Sequence, residues 1–237
     1  MIMSAPLYRL KREAKLLSRS EKTPLHVALD RVAVREGFQS WSLLAARTAA
    51  PLSAGGVLAR LAPGDLVLVG ARPGQGKTLL SLGLAVEAMK QGRRAAFFSL
   101  EYNRKDIVGR FRAIGAEPAC FEQLFSFDDS DAICAEHIIA SLDDAPRGTL
   151  VVIDYLQLLD QRRANPDLAT QMHALKRFAR DNGMIFAFIS QVDRSYDPEK
   201  KTCPDLGDVR LPNPLDLSLF SKACFLHAGA IRFHALN

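Results

Sequence analysis

The feature that most constrains this chain is a glycine-rich loop placed between an apolar run and a helical stretch. The run Leu66–Gly70 is typical of a buried parallel strand, and Ala71–Thr78 (ARPGQGKT) follows it directly. Residues Leu79–Lys90 then have helical character. This order is that of a phosphate-binding P-loop, although Ala71 stands where the strict pattern has glycine.

The residue types of this loop suit a nucleoside triphosphate. Successive backbone N–H groups and a helix N-terminus surround phosphate oxygens, and Lys77 adds a cation at the β and γ phosphates. The Thr78 hydroxyl can ligate Mg²⁺. We therefore expect ATP and Mg²⁺ as ligands, with the nucleotide bound by Arg72, Pro73, Gly74, Gln75, Gly76, Lys77 and Thr78.

Two further apolar runs end in a carboxylate. Ala95–Leu100 precedes Glu101, and Leu150–Ile153 precedes Asp154 in the Walker B pattern. Asp154 is therefore a predicted Mg²⁺ ligand together with Thr78. Glu101 lies where a carboxylate faces the ligand crevice and can polarise the attacking water, or it is a surface residue that caps the next helix.

A fourth run, Met184–Ile189, ends in Ser190 and Gln191. The Gln191 amide can sense the γ-phosphate, or it can be an ordinary hydrogen-bonding residue at a strand end. Together with Glu101 and Lys77, it completes the predicted catalytic set.

Helical stretches separate these runs, which predicts an α/β fold with a mostly parallel sheet between helices. The helices are expected near 104–114, 132–142 and 167–181, and the runs 223–227 and 230–235 are expected as strands at the sheet edge.

Charge divides the chain into unequal parts. Of the formal net charge of +5, residues 1–50 carry all, with nine basic and four acidic residues, whereas 51–237 hold twenty-two of each. We predict a basic helical N-terminal unit (1–50), a linker (51–64) rich in glycine and proline, and an ATPase domain (65–237).

The N-terminal unit is predicted to contain three helices. Leu7, Leu10, Ala14 and Leu17 form one apolar face, Thr23 and Pro24 look like the start of a second helix, and a third spans 40–49. The spacing of Ala33, Gly37 and Leu43 fits a helix-turn-helix that binds DNA. The alternative is an amphipathic cap that packs on protein, and the dense cations of the first helix favour phosphate contacts.

Other classes are excluded by composition. There is no apolar stretch near 18 residues and no secretory signal, so we expect no membrane partner. The four cysteines lack the short spacing of zinc or redox motifs, which favours free thiols and a cytoplasmic location.

Taken together, these motifs are similar to those of a known family. The P-loop, Phe97–Glu101 (FFSLE), Val152–Leu159 (VIDYLQLL) and Ile189–Gln191 (ISQ) resemble the RecA-like ATPase domain of hexameric replicative DNA helicases of the DnaB type. The resemblance covers about 60–195 well and 196–235 loosely.

The resemblance implies roles for these residues. Glu101 would be the catalytic base, Asp154 the Walker B acid, and Gln191 the link from the γ-phosphate to a DNA-binding loop at Val192–Leu217. It also implies single-stranded DNA as a partner and a ring of identical subunits. Acidic residues outnumber basic ones in that loop, six to four, which is a poor electrostatic footprint for DNA.

The chain departs from the family in two respects. The N-terminal unit does not resemble the family's collar domain, and no Lys-x-Arg hairpin follows Ala230–Ala235 to act as an arginine finger on a neighbouring subunit. We expect slow intrinsic hydrolysis unless Arg194, Arg210, Arg232 or a partner protein supplies that group. Three functions stay open: a DNA motor, an ATP-dependent switch or assembly factor without unwinding activity, and a P-loop transferase.

Overall fold

The computed structural model describes residues 7–42 except 22, residue 44, and residues 52–160, 165–197 and 201–236 except 202 and 212. The chain divides into two compact units, 1–51 and 52–237.

The first unit is helical in its described residues. It contains α1 (Leu7–Ser20) and α2 (Leu25–Arg35). Its own small core buries Leu10, Ala14, Val32, Ala33 and Leu44. The predicted apolar face of the first helix is therefore the one that packs.

The predicted start of the second helix is wrong by one residue. Pro24 has an extended ψ of 142° and occupies the cap position itself, so the helix begins at Leu25. The Thr23 hydroxyl does not cap the helix and is buried without a hydrogen-bond partner among the described residues. Most of the predicted third helix, namely 43 and 45–49, lies outside the described residues, as does Leu43 of the predicted helix-turn-helix.

The described part of the second unit forms one seven-stranded sheet in the order β3-β2-β4-β5-β1-β6-β7. The strands are β1 (Leu66–Ala71), β2 (Ala95–Ser99), β3 (Phe125–Asp128), β4 (Leu150–Asp154), β5 (Ile185–Gln191), β6 (Lys222–His227) and β7 (Ala230–Ala235). All neighbours pair in parallel except β6 and β7, which form an antiparallel hairpin at one edge. The predicted α/β class is confirmed.

Helices cover both faces of this sheet. They are α3 (Ala54–Leu58), α4 (Lys77–Lys90), α5 (Arg104–Ala113), α6 (Ala135–Ser141) and α7 (Leu168–Asn182). Alternate strand residues enter two cores, one shared with α6 and α7 and the other with α3, α4 and α5. Because both faces are buried, the central strands read as continuous apolar runs.

Two elements were not predicted. The segment predicted as a linker contains α3, because Val57 and Leu58 are buried and Ser53 caps the helix through the Gly56 N–H (3.2 Å). A side chain at Gly83 of α4 would lie 2.9 Å from Ala54, so the two helices pack closely. The edge strand β3 is short and alternates Phe, Ser, Phe and Asp, which gives no apolar run to detect.

Within the described residues, no helix is both long and apolar enough to cross a membrane.

Candidate nucleotide site

The P-loop connects β1 to α4 as the sequence predicts. Ala71 is the last residue of β1 and lies in extended backbone, so this position does not require glycine. Gly74 (φ 77°) and Gly76 (φ 86°) adopt left-handed conformations that other residues rarely take, and a Cβ at either position would meet no atom within 4 Å. The glycines are needed for backbone conformation and not for space.

The start of α4 is suited to binding an anion. Gly76 is the cap residue and offers no side-chain hydrogen bond to the first turn. The N–H groups of this turn have no partner within the helix, so they are available to phosphate oxygens together with the positive end of the helix dipole.

A cavity of about 450 Å³ opens at this helix end. It lies over the carboxyl ends of the strands and is lined by Pro73, Gly74, Gly76, Lys77, Thr78, Leu79, Glu101, Tyr102, Arg110, Asp154, Tyr155, Ile189 and Gln191. The structure therefore brings the predicted catalytic and metal-binding residues to one cavity.

Two predicted nucleotide-binding residues are not among those that line the cavity. The Arg72 carbonyl accepts a hydrogen bond from Lys77 Nζ (3.2 Å), and the Gln75 side chain accepts one from the Ala228 N–H (2.9 Å) in the β6–β7 turn. A role of Arg72 and Gln75 in nucleotide binding stays a prediction.

The Thr78 hydroxyl and the Asp154 carboxylate meet inside the cavity. Thr78 Oγ1 donates a hydrogen bond to Asp154 Oδ2 (3.1 Å), although the two residues are far apart in sequence. Both are hard oxygen ligands of the kind that Mg²⁺ prefers, and Mg²⁺ commonly keeps several waters and phosphate oxygens as its other ligands. No cluster of three or more His, Cys, Asp or Glu ligands occurs in the described part of the chain, so these two residues fit a Mg²⁺ that substrate and water complete.

Burial perturbs both charged groups at the loop. Burial, and then the nearby Glu101, raise the pKa of Asp154 to about 6, while the Thr78 hydrogen bond and the cations Lys77 and Arg110 act in the opposite direction. Burial also lowers the pKa of Lys77, and the Asp154 and Glu101 carboxylates partly offset this effect. The site therefore holds a desolvated cation beside a desolvated carboxylate, each of which gains from an ionic partner such as phosphate or Mg²⁺.

Glu101 follows β2 and lines the same cavity. The alternative role as a helix cap is filled by Asn103, which accepts the Asp106 N–H (3.0 Å) while Asp106 accepts the Asn103 N–H (3.2 Å). Glu101 is exposed and has no part in this capping box. The geometry therefore favours the interpretation of Glu101 as a general base.

Arg110 is a cavity residue that was not predicted from the sequence. Its guanidinium lies 4.0 Å from the centre of the Tyr102 ring, and its Nε is buried without a hydrogen-bond partner among the described residues. A cation with an unused donor in a cavity beside the P-loop suits an anionic ligand. The available signal was helical spacing, because Arg110 lies three residues after the buried Ile107 of α5.

Gln191 connects the cavity to the following loop. It ends β5 and lines the cavity, and its carbonyl accepts the Arg210 N–H (2.8 Å). Gln157, a second residue that was not predicted as part of the site, donates from Nε2 to the Arg210 carbonyl (2.7 Å). Val192 and Val209 form an antiparallel bridge beside these bonds. The returning part of the loop is thus held on both sides of Arg210.

Comparison with known proteins agrees with this architecture. A family model described as "DnaB-like helicase C terminal domain" matches residues 56–118. The replicative DNA helicase DnaB of Mycoplasma genitalium is 28% identical over 183 residues, which span 62% of this chain and 39% of that protein. A probable plasmid replicative DNA helicase of Chlamydia trachomatis is 29% identical over 181 residues, spanning 63% and 40%.

The chain resembles the motor domain of DnaB-type helicases.

Solved structures of DnaB-like ATPase domains share its fold. A DnaB-like replicative helicase, studied with its interactions with primase, gives a TM-score of 0.59 at 18% identity and covers 92% of this chain and 65% of that one. A solved structure of an isolated ATPase domain gives a TM-score of 0.58 at 20% identity and covers 78% and 81%. The chain spans about two fifths of the length of the curated DnaB-type relatives named above.

Proposed function

We propose that this chain binds ATP with Mg²⁺, hydrolyses it, and couples hydrolysis to movement or remodelling of DNA. The observation that carries the proposal is the arrangement around one cavity of the P-loop, the Thr78–Asp154 hydrogen bond and the Glu101 carboxylate. The similarity to replicative helicases supports DNA as the partner.

The phosphate end of the site is assigned to the P-loop and α4. Backbone N–H groups at the start of α4 would bind phosphate oxygens, and Lys77 would contact the β and γ phosphates. Thr78 and Asp154 would hold Mg²⁺, which supplies neutralisation of phosphate charge.

Hydrolysis requires a base for the attacking water. Glu101 would accept the water proton as the oxygen attacks the γ-phosphorus and the bond to the leaving ADP oxygen breaks. Arg110 would stabilise negative charge on the transferred group. These roles use the exposed carboxylate and the partly unpaired guanidinium described above.

Coupling to DNA is assigned to Gln191 and the loop at 192–217. Gln191 lines the cavity and binds the Arg210 N–H with its carbonyl, so a change at the γ-phosphate can move the loop. We further propose a homo-oligomeric ring in which a neighbouring subunit or partner supplies an arginine finger, with Arg194, Arg210 and Arg232 as candidates from this chain.

The ATPase rate, measured with and without single-stranded DNA, tests the proposal. Glu101→Gln should retain ATP binding while hydrolysis falls by about a hundredfold or more, and DNA should stimulate the unmodified protein. Lys105→Gln, which removes an exposed charge on α5, is the control. Unchanged turnover in Glu101→Gln would refute the assigned base. An absence of DNA stimulation, together with a monomer by light scattering with ATP and Mg²⁺, would refute the motor function.

A further inference from the structure

The outward face of α1 carries a strip of cations, formed by Lys11, Arg12, Lys15 and Arg19. All four residues are exposed, whereas Leu10, Ala14 and Leu17 lie buried or half-buried on the opposite side. At about 100° per residue, the four cations fall within an arc of about 100°. They form one continuous basic strip and not a scatter of surface charges.

The charges of the strip are not neutralised within the described part of the chain. None of the four cations forms an ion pair there, although this unit makes two others. Glu13 pairs with Arg35 of α2 (2.6 Å), and Glu21 pairs with Arg31. Two carboxylates near the strip are therefore already bound to arginines of α2, which leaves its positive potential in place.

The loop at 192–217 offers a weaker basic surface. Lys201 is held between Asp205 and Asp208, with Nζ 2.6 Å from a carboxylate oxygen of each. Acidic residues outnumber basic ones in this loop, six to four. Its net charge is unfavourable for phosphate binding, so electrostatic attraction for DNA has to come from another surface.

We propose that the strip binds the phosphate backbone of double-stranded DNA. Lys11 and Arg19 are eight residues apart, which is about 12 Å along a helix. A duplex presents one negative charge per about 1.7 Å of its axis, or about seven phosphates over that length, enough to engage every cation of the strip.

The composition of α1 favours a duplex over a single strand. Sites for single strands combine cations with several aromatic side chains on which successive bases stack. The sequence of α1 has one aromatic residue, Tyr8 in its first turn, and none from Lys11 to Arg19. A helical strip of cations without a series of stacking groups suits contacts to a backbone. This inference rests on the proposed DNA-directed function and adds to it a surface outside the ATPase unit.

The test is binding of the full chain to a fluorescein-labelled duplex, measured by anisotropy across a salt series without nucleotide. Lys15→Gln combined with Arg19→Gln should lower the slope of log K against log salt by about 1.8, and affinity at about 0.1 M salt by about sixtyfold, from about 0.9 per phosphate contact. Lys11→Gln combined with Arg12→Gln should give a similar loss.

The matched control is Arg31→Gln combined with Arg35→Gln, which removes the same charge from the same unit but only from paired arginines. An equal loss in this control would overturn the proposal, as would unchanged duplex binding in both strip variants. Equal loss of binding to polyglutamate would also overturn it, because the strip would then recognise any polyanion. A larger loss for a single strand than for the duplex would do so too. Because no nucleotide is present, these results do not depend on whether the chain hydrolyses ATP.

Discussion

Replacing Asp154 with asparagine is expected to stabilise the nucleotide-free protein. The folded chain raises the pKa of this carboxyl from 3.8 to about 6, chiefly by burial. At pH 7.5 the group is ionised in both folded and unfolded states, so the folded state holds a charge that its surroundings disfavour. A difference of about two pKa units corresponds to about 3 kcal/mol. Asparagine removes the charge, keeps nearly the same shape, and can still accept the Thr78 hydrogen bond.

The gain should depend on pH in a defined direction. Because the pKa of Asp154 is higher in the folded state, protonation favours folding, and the unfavourable contribution fades below the unfolded pKa of 3.8. It grows as the pH rises and is complete above the folded pKa of about 6. The advantage of Asp154→Asn should therefore fall from about 3 kcal/mol at pH 7.5 to roughly half that value at pH 5.

Urea unfolding followed by circular dichroism at the two pH values measures this difference. Asp167→Asn is a suitable control because backbone and side-chain hydrogen bonds from Thr170 lower the pKa of Asp167, so its charge favours the folded state. Adding ADP with Mg²⁺ should stabilise the unmodified protein more than Asp154→Asn. If Asp154→Asn were no more stable at pH 7.5, or if its advantage did not change with pH, the account of Asp154 as a buried, destabilising metal ligand would be refuted.

Three further substitutions address the phosphate site and its link to the loop. Lys77→Ala should abolish tight ATP binding in a fluorescent-nucleotide titration, and unchanged affinity would contradict the P-loop assignment. Arg110→Lys should lower kcat by about a hundredfold with a smaller effect on KM, because lysine lacks the planar fork that lies over Tyr102; equal changes in both would point to a role in binding alone. Gln157→Ala removes the hydrogen bond to the Arg210 carbonyl and should reduce DNA stimulation of the ATPase more than the basal rate; the opposite pattern would argue against coupling through this bond.

The sheet and the strand-end residues could be predicted because local sequence determines them. Four central strands are buried on both faces, so each appears as an apolar run, and the carboxyl ends of parallel strands must meet at one edge. In contrast, β3 is short and half polar, and α3 contains two glycines in five residues. Their formation depends on packing against the rest of the unit, which no local pattern shows.

Arg110 and Gln157 illustrate the same limit within the site. Helical spacing places Arg110 near the buried side of α5, but only the assembled fold shows that this side borders the phosphate cavity. Gln157 is part of a family-like motif, yet its partner is a carbonyl in a distant loop. Contacts between segments far apart in sequence are the part of the site that composition and periodicity do not encode.

The order of the strands explains why the predicted residues meet. β2, β4, β5 and β1 are consecutive in the sheet, and they lead respectively to Glu101, Asp154, Gln191 and the P-loop. Each residue is therefore one strand from the next at the same edge, which brings a candidate base, metal ligand, coupling amide and phosphate loop around one cavity. The β6–β7 hairpin lies on the other side of β1 and reaches the P-loop through the Ala228–Gln75 hydrogen bond. The proposed hydrolysis and coupling thus depend on residues from one half of the sheet, whereas the other half supports the loop that would bind phosphate.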